Sequence, residues 1–268
     1  MKLRKYFEYQ PDLELTVAQI GINKWDWVAT NRYDKGYAKR IMSLSRFDIL
    51  PVHINEDLDH YYQTKNWGDY SEIVLKDILR EDIIYYRLSF LDLLRKMQRE
   101  GKYQFFLADS NEILGLVSLN NLNCLAVYNY IYQITASLEK VVSDFLQRTL
   151  DNDEVILMLS GSSDKQAESI IKVYKEMKAV NKDNTIFQYL FFPTLGTLLK
   201  SAADKVEKEV PELMDYRTKF CAGNLYWEIR NIVSHPVKPL FVDENSILKV
   251  NELISDYYAI NDVLKYYG

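Results

Sequence analysis

The sequence predicts two halves of different class, an α+β N-terminal half built from small βα modules followed by an all-α C-terminal helical bundle. Three observations carry the prediction. Up to residue 124 short apolar runs alternate with helical patterns, beyond it the segments are long and of helical period, and the first half contains an internal repeat. With 268 residues, 48% of them hydrophobic and 26% charged, the chain has the apolar material for one large domain or two ordinary ones.

In the first half FDILPVHI (47–54) and YQFFLA (103–108) read as strands, and LSFLDLLRKMQREG (88–101) reads as a helix. AKRIMSLSRFDILPVHI (38–54) overlays LLRKMQREGKYQFFLAD (93–109), in each case a helix ending near a methionine, a turn and an apolar strand. The second copy runs on into DSNEILGLVSLNNLN (109–123). The copies are expected over 15–75 and 76–124, within a first domain of 1–124.

The second domain, 125–268, reads as helices over 125–150, 162–180, around 187–207, 212–235 and 247–267. Serines in SGSSDKQAE suit an N-cap, and Pro211 with Glu212 suits a helix start. SGSS matches neither the GxSxG nucleophile elbow nor the GxxxxGK[ST] phosphate loop. No glycine- or proline-rich linker separates the halves, so the helix beginning at 125 is expected to run on directly from the first domain.

A formal charge of −5 argues against a polybasic nucleic-acid binder, yet leaves room for a local basic cleft. Cys124 and Cys221 are isolated, so neither a disulfide framework nor a cysteine zinc site is expected. The opening MKLRKYFEYQPDLEL carries no unbroken apolar run, and no segment reaches the ~20 apolar residues of a membrane span. A soluble, cytoplasmic protein without a membrane partner is expected. His53 and His60 are expected on the surface in a turn of the first copy, and Trp25, Trp27 and the many tyrosines in the core and at interfaces.

GLVSLNNL (115–122) presents a glycine, two apolar residues, a serine and, three residues on, an amide. A strand that ends in serine and enters a helix places a hydroxyl and backbone N–H groups at a positive helix terminus, where phosphate is stabilised. With the βα repeat, this resembles a tandem pair of CBS domains over roughly 15–124. The resemblance implies a regulatory adenine nucleotide, with Ser118 on the phosphate and Asn121, where the family carries aspartate, on the ribose. In the first copy it implies Thr64 at the hydroxyl position and Trp67 in place of the acidic residue. SLNNL as a plain cap and turn stands beside that reading, since Ser and Asn are favoured there for backbone reasons.

RNIVSHP (230–236) carries one of only three histidines. On a helix, Asn231 and His235 share a face with Arg230 one step around, and Pro236 disfavours helical dihedrals at His235, so the helix should end there. Over roughly 125–268 the chain resembles the HEPN domain, whose nuclease members carry Arg, a polar residue and a downstream His. The resemblance implies metal-independent RNA cleavage by Arg230, Asn231 and His235 in a cleft between two copies of the domain, hence a homodimer. Histidine suits proton transfer near neutral pH, arginine suits a developing phosphate charge, and Lys238 adds to the field that draws RNA. Arg230 and His235 as favourable charges at a helix C-terminus are the plainer alternative.

The expected function is a nucleotide-regulated endoribonuclease in defence or stress response, of the toxin or antiviral kind, with RNA rather than DNA as substrate and no catalytic cofactor or metal. The alternative is a non-enzymatic adenine-nucleotide-sensing or dimerisation protein with a degenerate HEPN domain.

Overall fold

The computed structural model describes residues 15–54, 57–66, 68–110, 112–162 and 166–267. The chain is mixed, with its sheets in the N-terminal half and its long helices in the C-terminal half. Two compact units meet in sequence between Leu122 and Asn123.

The N-terminal unit contains β1 (Ile22–Asn23), α1 (Lys35–Ser45), β2 (Ile49–Ile54), β3 (Asp57–Asn66), β4 (Asp69–Asp77), β5 (Ile83–Tyr85), α2 (Phe90–Glu100), β6 (Gln104–Asp109) and β7 (Glu112–Ser118). One sheet has the order β2-β3-β4 and the other β1-β7-β6-β5. The repeat is structural. α1 begins at 35 and α2 at 90, β2 at 49 and β6 at 104, β3 at 57 and β7 at 112, a constant offset of 55 residues.

Each helix is closed by matching local chemistry. Asp34 and Ser89 accept N–H bonds from Tyr37 and Asp92 at the N-caps. The C-caps Arg46 and Gly101 both take left-handed dihedrals, φ 56° and 59°. The methionines that marked the repeat, Met42 and Met97, are wholly buried.

Period-two alternation sends the neighbours Tyr61 and Tyr62 of β3 to opposite faces. Tyr62 packs with Ala38, Met42, Leu50, Val52 and Ile73 beneath α1. Tyr61 joins Ile49, Phe106 and Leu116, so that side chains of both sheets share one core. Strand β4 was not delineated in the sequence, because of DYSEIVLKD only Ile73 is buried. His53 and His60 lie on β2 and β3 rather than in a turn. His60 is held between the Tyr33 hydroxyl at 3.0 Å and the Asp77 carboxylate at 3.1 Å.

The C-terminal unit contains α3 (Leu125–Thr149), α4 (Asn152–Ser160), α5 (Ala167–Val180), α6 (Phe192–Ser201), α7 (Ala203–Glu209), α8 (Leu225–Ser234) and α9 (Glu244–Tyr266). Helix α3 buries Ile131, Ile134, Leu138, Val142, Phe145 and Leu146 along one stripe. Helix α4 was not anticipated. Its signal is the reciprocal cap of Asp151 and Glu154, each accepting the other's backbone N–H.

The segment read as one helix over 212–235 is divided into a 3-10 turn at Pro211–Tyr216 and α8, because Gly223 takes φ 79° just before α8 begins. Similarly, 187–207 breaks into a 3-10 turn, α6 and α7, with Pro193 in the first turn of α6. Of the serines read as caps, Ser162 closes α4 by donating to the Leu159 carbonyl, while Ser163 lies outside the described residues.

Gly115 of β7 is pressed against β1, and a Cβ there would strike the Ile22 carbonyl. Gly115→Ala is therefore expected to cost roughly 1–3 kcal/mol, read as a lower urea midpoint at unchanged slope. Gly36→Ala, where the nearest atom is an ordinary 3.5 Å away, is the control.

Candidate functional site

Helix α8 is oriented by its buried residues. Tyr226, Ile229 and Val233 lie three and four apart and face inward, and the Tyr226 ring packs edge-on against Phe220 at 4.8 Å. Tyr226 is pinned further by donating to the Asp256 carboxylate at 2.8 Å. That orientation leaves Trp227, Arg230 and Asn231 half-buried on the flank. The helix stops at Ser234, and His235 comes next at φ −131°, ψ 72°, as the proline after it demands. His235 and Lys238 are exposed.

Arg230 and Asn231 line one cavity of about 250 Å³ together with Glu139, Phe191, Phe192 and Trp227. His235 does not line it. The i, i+4 face that would seat the imidazole over Asn231 fails for a local reason: His235 has left helical geometry, and its N–H reaches back to the Ile232 carbonyl in a tightened last turn.

The carboxylate in this cavity was missed in the sequence. Glu139 flanks the buried stripe of α3 and accepts the Phe192 N–H at 3.1 Å, at the positive end of α6. Burial raises its pKa above the ordinary carboxylate range, while the Phe192 N–H and the Arg230 charge pull it back down. Glu139 and Arg230 thus face one cavity, and each charge acts on the other there. The available signal was one acidic residue between the buried positions Leu138 and Val142 of an apolar stripe.

A second cavity, of about 240 Å³, lies in the N-terminal unit. Its walls include Trp27, Phe47, Ile49 and Leu116, and its polar groups are Asp26, Arg46, Asp48, Ser118, Asn120 and Asn121. Ser118 ends β7, and both its N–H and its hydroxyl donate to Asn121 Oδ1, at 2.8 and 2.9 Å. The pair thus closes the turn, as the cap reading of SLNNL expects, and also faces the cavity. Beyond Ser118 the chain makes a 3-10 turn, Leu119–Asn123, before α3 begins. With Asn121 Oδ1 engaged, its amide N–H groups are the part left to meet a ligand.

Arg46 was not singled out in the sequence. It is exposed and lines the cavity, and among the described residues its side chain makes no ion pair or hydrogen bond. Its left-handed dihedrals occupy the place of Gly101 in the other copy, a conformation that a long side chain adopts at some cost.

Thr64 sits elsewhere. Strand pairing matches Ile49 with Gln63 and Gln104 with Ser118, so the counterpart of Ser118 is Gln63, one residue before Thr64. Thr64 is buried within β3, which turns through Gly68 into β4 rather than entering a helix. Its hydroxyl donates to the buried Asp48 carboxylate at 2.9 Å, which also accepts the Gly68 N–H at 2.7 Å. Thr64 is therefore a structural pin rather than a residue placed to hold phosphate. Trp67 lies outside the described residues.

The groove related to this cavity by the 55-residue offset differs in chemistry. Where the first copy has Trp27 and Phe47, it has Asp82 and Lys102, joined in an ion pair. Among the described residues no group of His, Cys, Asp and Glu is arranged to hold a metal, and no helix is long and apolar enough to cross a membrane. No protein-family model matches the chain, and no curated protein matches it.

A raised pKa means that Glu139 binds its proton more tightly in the folded than in the unfolded chain. Its contribution to stability is therefore full at low pH and is lost as the pH rises from the ordinary carboxyl value through the raised folded one. Glu139→Gln is expected to remove that decline, so that its urea midpoint falls less than the wild-type midpoint between pH 4 and pH 8. Parallel profiles for the two proteins would contradict the assignment.

Proposed function

We propose that this protein is a nucleotide-regulated, metal-independent endoribonuclease of the HEPN kind, acting as a homodimer, with a CBS-like N-terminal pair as its sensor. The observation that carries the reading is the concentration of Arg230, Asn231 and Glu139 in one open cavity on the flank of a helix whose next turn presents an exposed His235. An arginine and a histidine at one helix end suit cleavage of a phosphodiester. The 55-residue βα repeat and the cavity at Ser118 support the sensor half.

In this reading the ribose 2′-hydroxyl attacks the neighbouring phosphorus and the bond to the 5′-oxygen breaks. One imidazole takes the 2′ proton, and a second, protonated imidazole supplies one to the departing 5′-oxygen. The products are a 2′,3′-cyclic phosphate and a free 5′-hydroxyl. Arg230 meets the charge that grows on the phosphoryl oxygens, and Asn231 orients them. Each chain brings a single His235, so two copies are needed for an acid and a base. Lys238 draws the RNA backbone to the same helix end. In the sensor, Arg46 offers a charge for a nucleotide phosphate, and Trp27 offers an aromatic wall for its adenine ring.

His235→Ala is expected to lower cleavage of a labelled RNA panel about 10²- to 10⁴-fold. Arg230→Ala is expected to lower it about 10²- to 10³-fold, with Arg230→Lys recovering little because lysine lacks the planar fork. The absence of His235 from the cavity favours a second reading, a non-enzymatic regulator that senses adenine nucleotide or dimerises through a degenerate HEPN domain. Equal inertness of wild type and His235→Ala on that panel, with and without adenine nucleotides, would decide for it.

In the sensor, AMP or ATP at about 100 times its dissociation constant should stabilise the protein by about 2.7 kcal/mol. The matching rise in melting temperature is expected to shrink in Arg46→Gly, the residue that the other copy carries at this position.

A further inference from the structure

The chain leaves the N-terminal cavity and enters the C-terminal unit through a single short turn. Ser118, Asn120 and Asn121 line the cavity, and the 3-10 turn that holds the last two, Leu119–Asn123, ends at Asn123. The Asn123 side chain is almost fully engaged with one distant segment. Its Nδ2 donates to the Phe241 carbonyl at 2.8 Å, and its Oδ1 accepts the Leu240 and Phe241 N–H groups at 2.8 and 2.9 Å.

One helical turn on, the Tyr128 hydroxyl donates to the Lys238 carbonyl at 2.7 Å and accepts the Leu240 N–H at 2.8 Å. These two side chains therefore meet four backbone groups of residues 238–241, the Lys238 and Phe241 carbonyls and the Leu240 and Phe241 N–H groups, in a segment between α8 and α9 that belongs to no helix or strand. That segment is the immediate continuation of His235 and contains Lys238. Among the described residues His235 is held through backbone bonds alone, its N–H donating to the Ile232 carbonyl and its carbonyl accepting the Val237 N–H.

We infer that Asn123, assisted by Tyr128, is the positioning residue of His235, and that the turn closed by Ser118 and Asn121 is the link through which the N-terminal cavity acts on it. The inference deepens the nuclease reading, since it assigns the regulation of the same site. Asn121 Oδ1 holds the start of the turn through two hydrogen bonds and Asn123 holds its end through three, so only Leu122 lies between the two anchored side chains. An occupant that pulls on Asn121 or Ser118 therefore alters the segment carrying His235 and Lys238, without a contact of its own to either.

The test uses the full chain with labelled histidine, where three imidazoles are readily assigned, and reads the His235 resonances, their titration and the amide exchange of Leu240 and Phe241. Asn121→Ala, which leaves the Asn123 and Tyr128 side chains in place, should displace the His235 resonances. It should also speed exchange at Leu240 and Phe241 about tenfold, the effect of weakening one or two hydrogen bonds. Asn123→Ala should do the same more strongly. If it fails to fold, Tyr128→Phe, which removes only the hydroxyl, should speed Leu240 exchange and shift His235.

On RNA the clamp variants should lose kcat by a larger factor than they raise KM, since a proton carrier is misplaced while Lys238 is shifted along the same segment. Wild-type His235 resonances and exchange in Asn121→Ala would overturn the link, and the same result in Tyr128→Phe and Asn123→Ala would overturn the positioning role. These readouts do not require cleavage, so inertness of the wild type on RNA would overturn the nuclease reading while leaving the clamp measured.

Discussion

Burial of one face of α3 is the constraint on which the C-terminal unit depends. Its buried stripe, from Val127 to Leu146, spans more residues than that of any other described helix, and covering it sets where α6, α8 and α9 must pack. Once that face is inside, two polar residues along its edge are committed as well. Glu139 is brought to the first turn of α6, where a backbone N–H and the helix dipole offset part of the cost of its burial. Tyr128 is brought under the segment after α8, where its hydroxyl meets backbone groups that no helix satisfies. The site is thus an outcome of core packing, with Arg230 sharing its cavity with a carboxylate that the core itself has positioned.

The N-terminal unit shows how a repeat keeps its frame while its chemistry diverges. Caps, buried methionines and strand registers recur at the 55-residue offset, because each is a condition of folding a βα module. The positions facing the two grooves carry no such condition. One has acquired an aromatic wall with an arginine unpaired among the described residues, and the other an ion pair that occupies the same place. The left-handed dihedrals of Arg46, where the other copy has glycine, are conspicuous because the backbone has a lower-cost residue available.

Much of this was legible in the chain itself. The boundary between halves, the repeat and the stop of α8 before Pro236 each rest on local periodicity or backbone sterics, which neighbours in sequence report faithfully. What misled was equally local in origin. Thr64 is set against Ser118 by a repeat register one residue off, whereas strand pairing matches Gln63. Helix 212–235 looked continuous because nothing in its apolar pattern announces the left-handed Gly223. Strand β4 hid because one buried isoleucine in nine residues leaves no visible alternation.

By itself the sequence determined the elements that depend on short-range rules: the α+β and helical halves, the caps, and the trio of Arg230, Asn231 and His235 at one helix end. Only the tertiary structure decided which of these meet. It brought Glu139, 91 positions before Arg230 in the numbering, into the same cavity, and left His235 outside it. It also tied Asn123 to Phe241, 118 positions away. The reason is physical. Caps and helix stops are satisfied within a few residues of themselves, whereas a buried carboxylate or an unpaired backbone N–H finds its partner wherever the packed core delivers one.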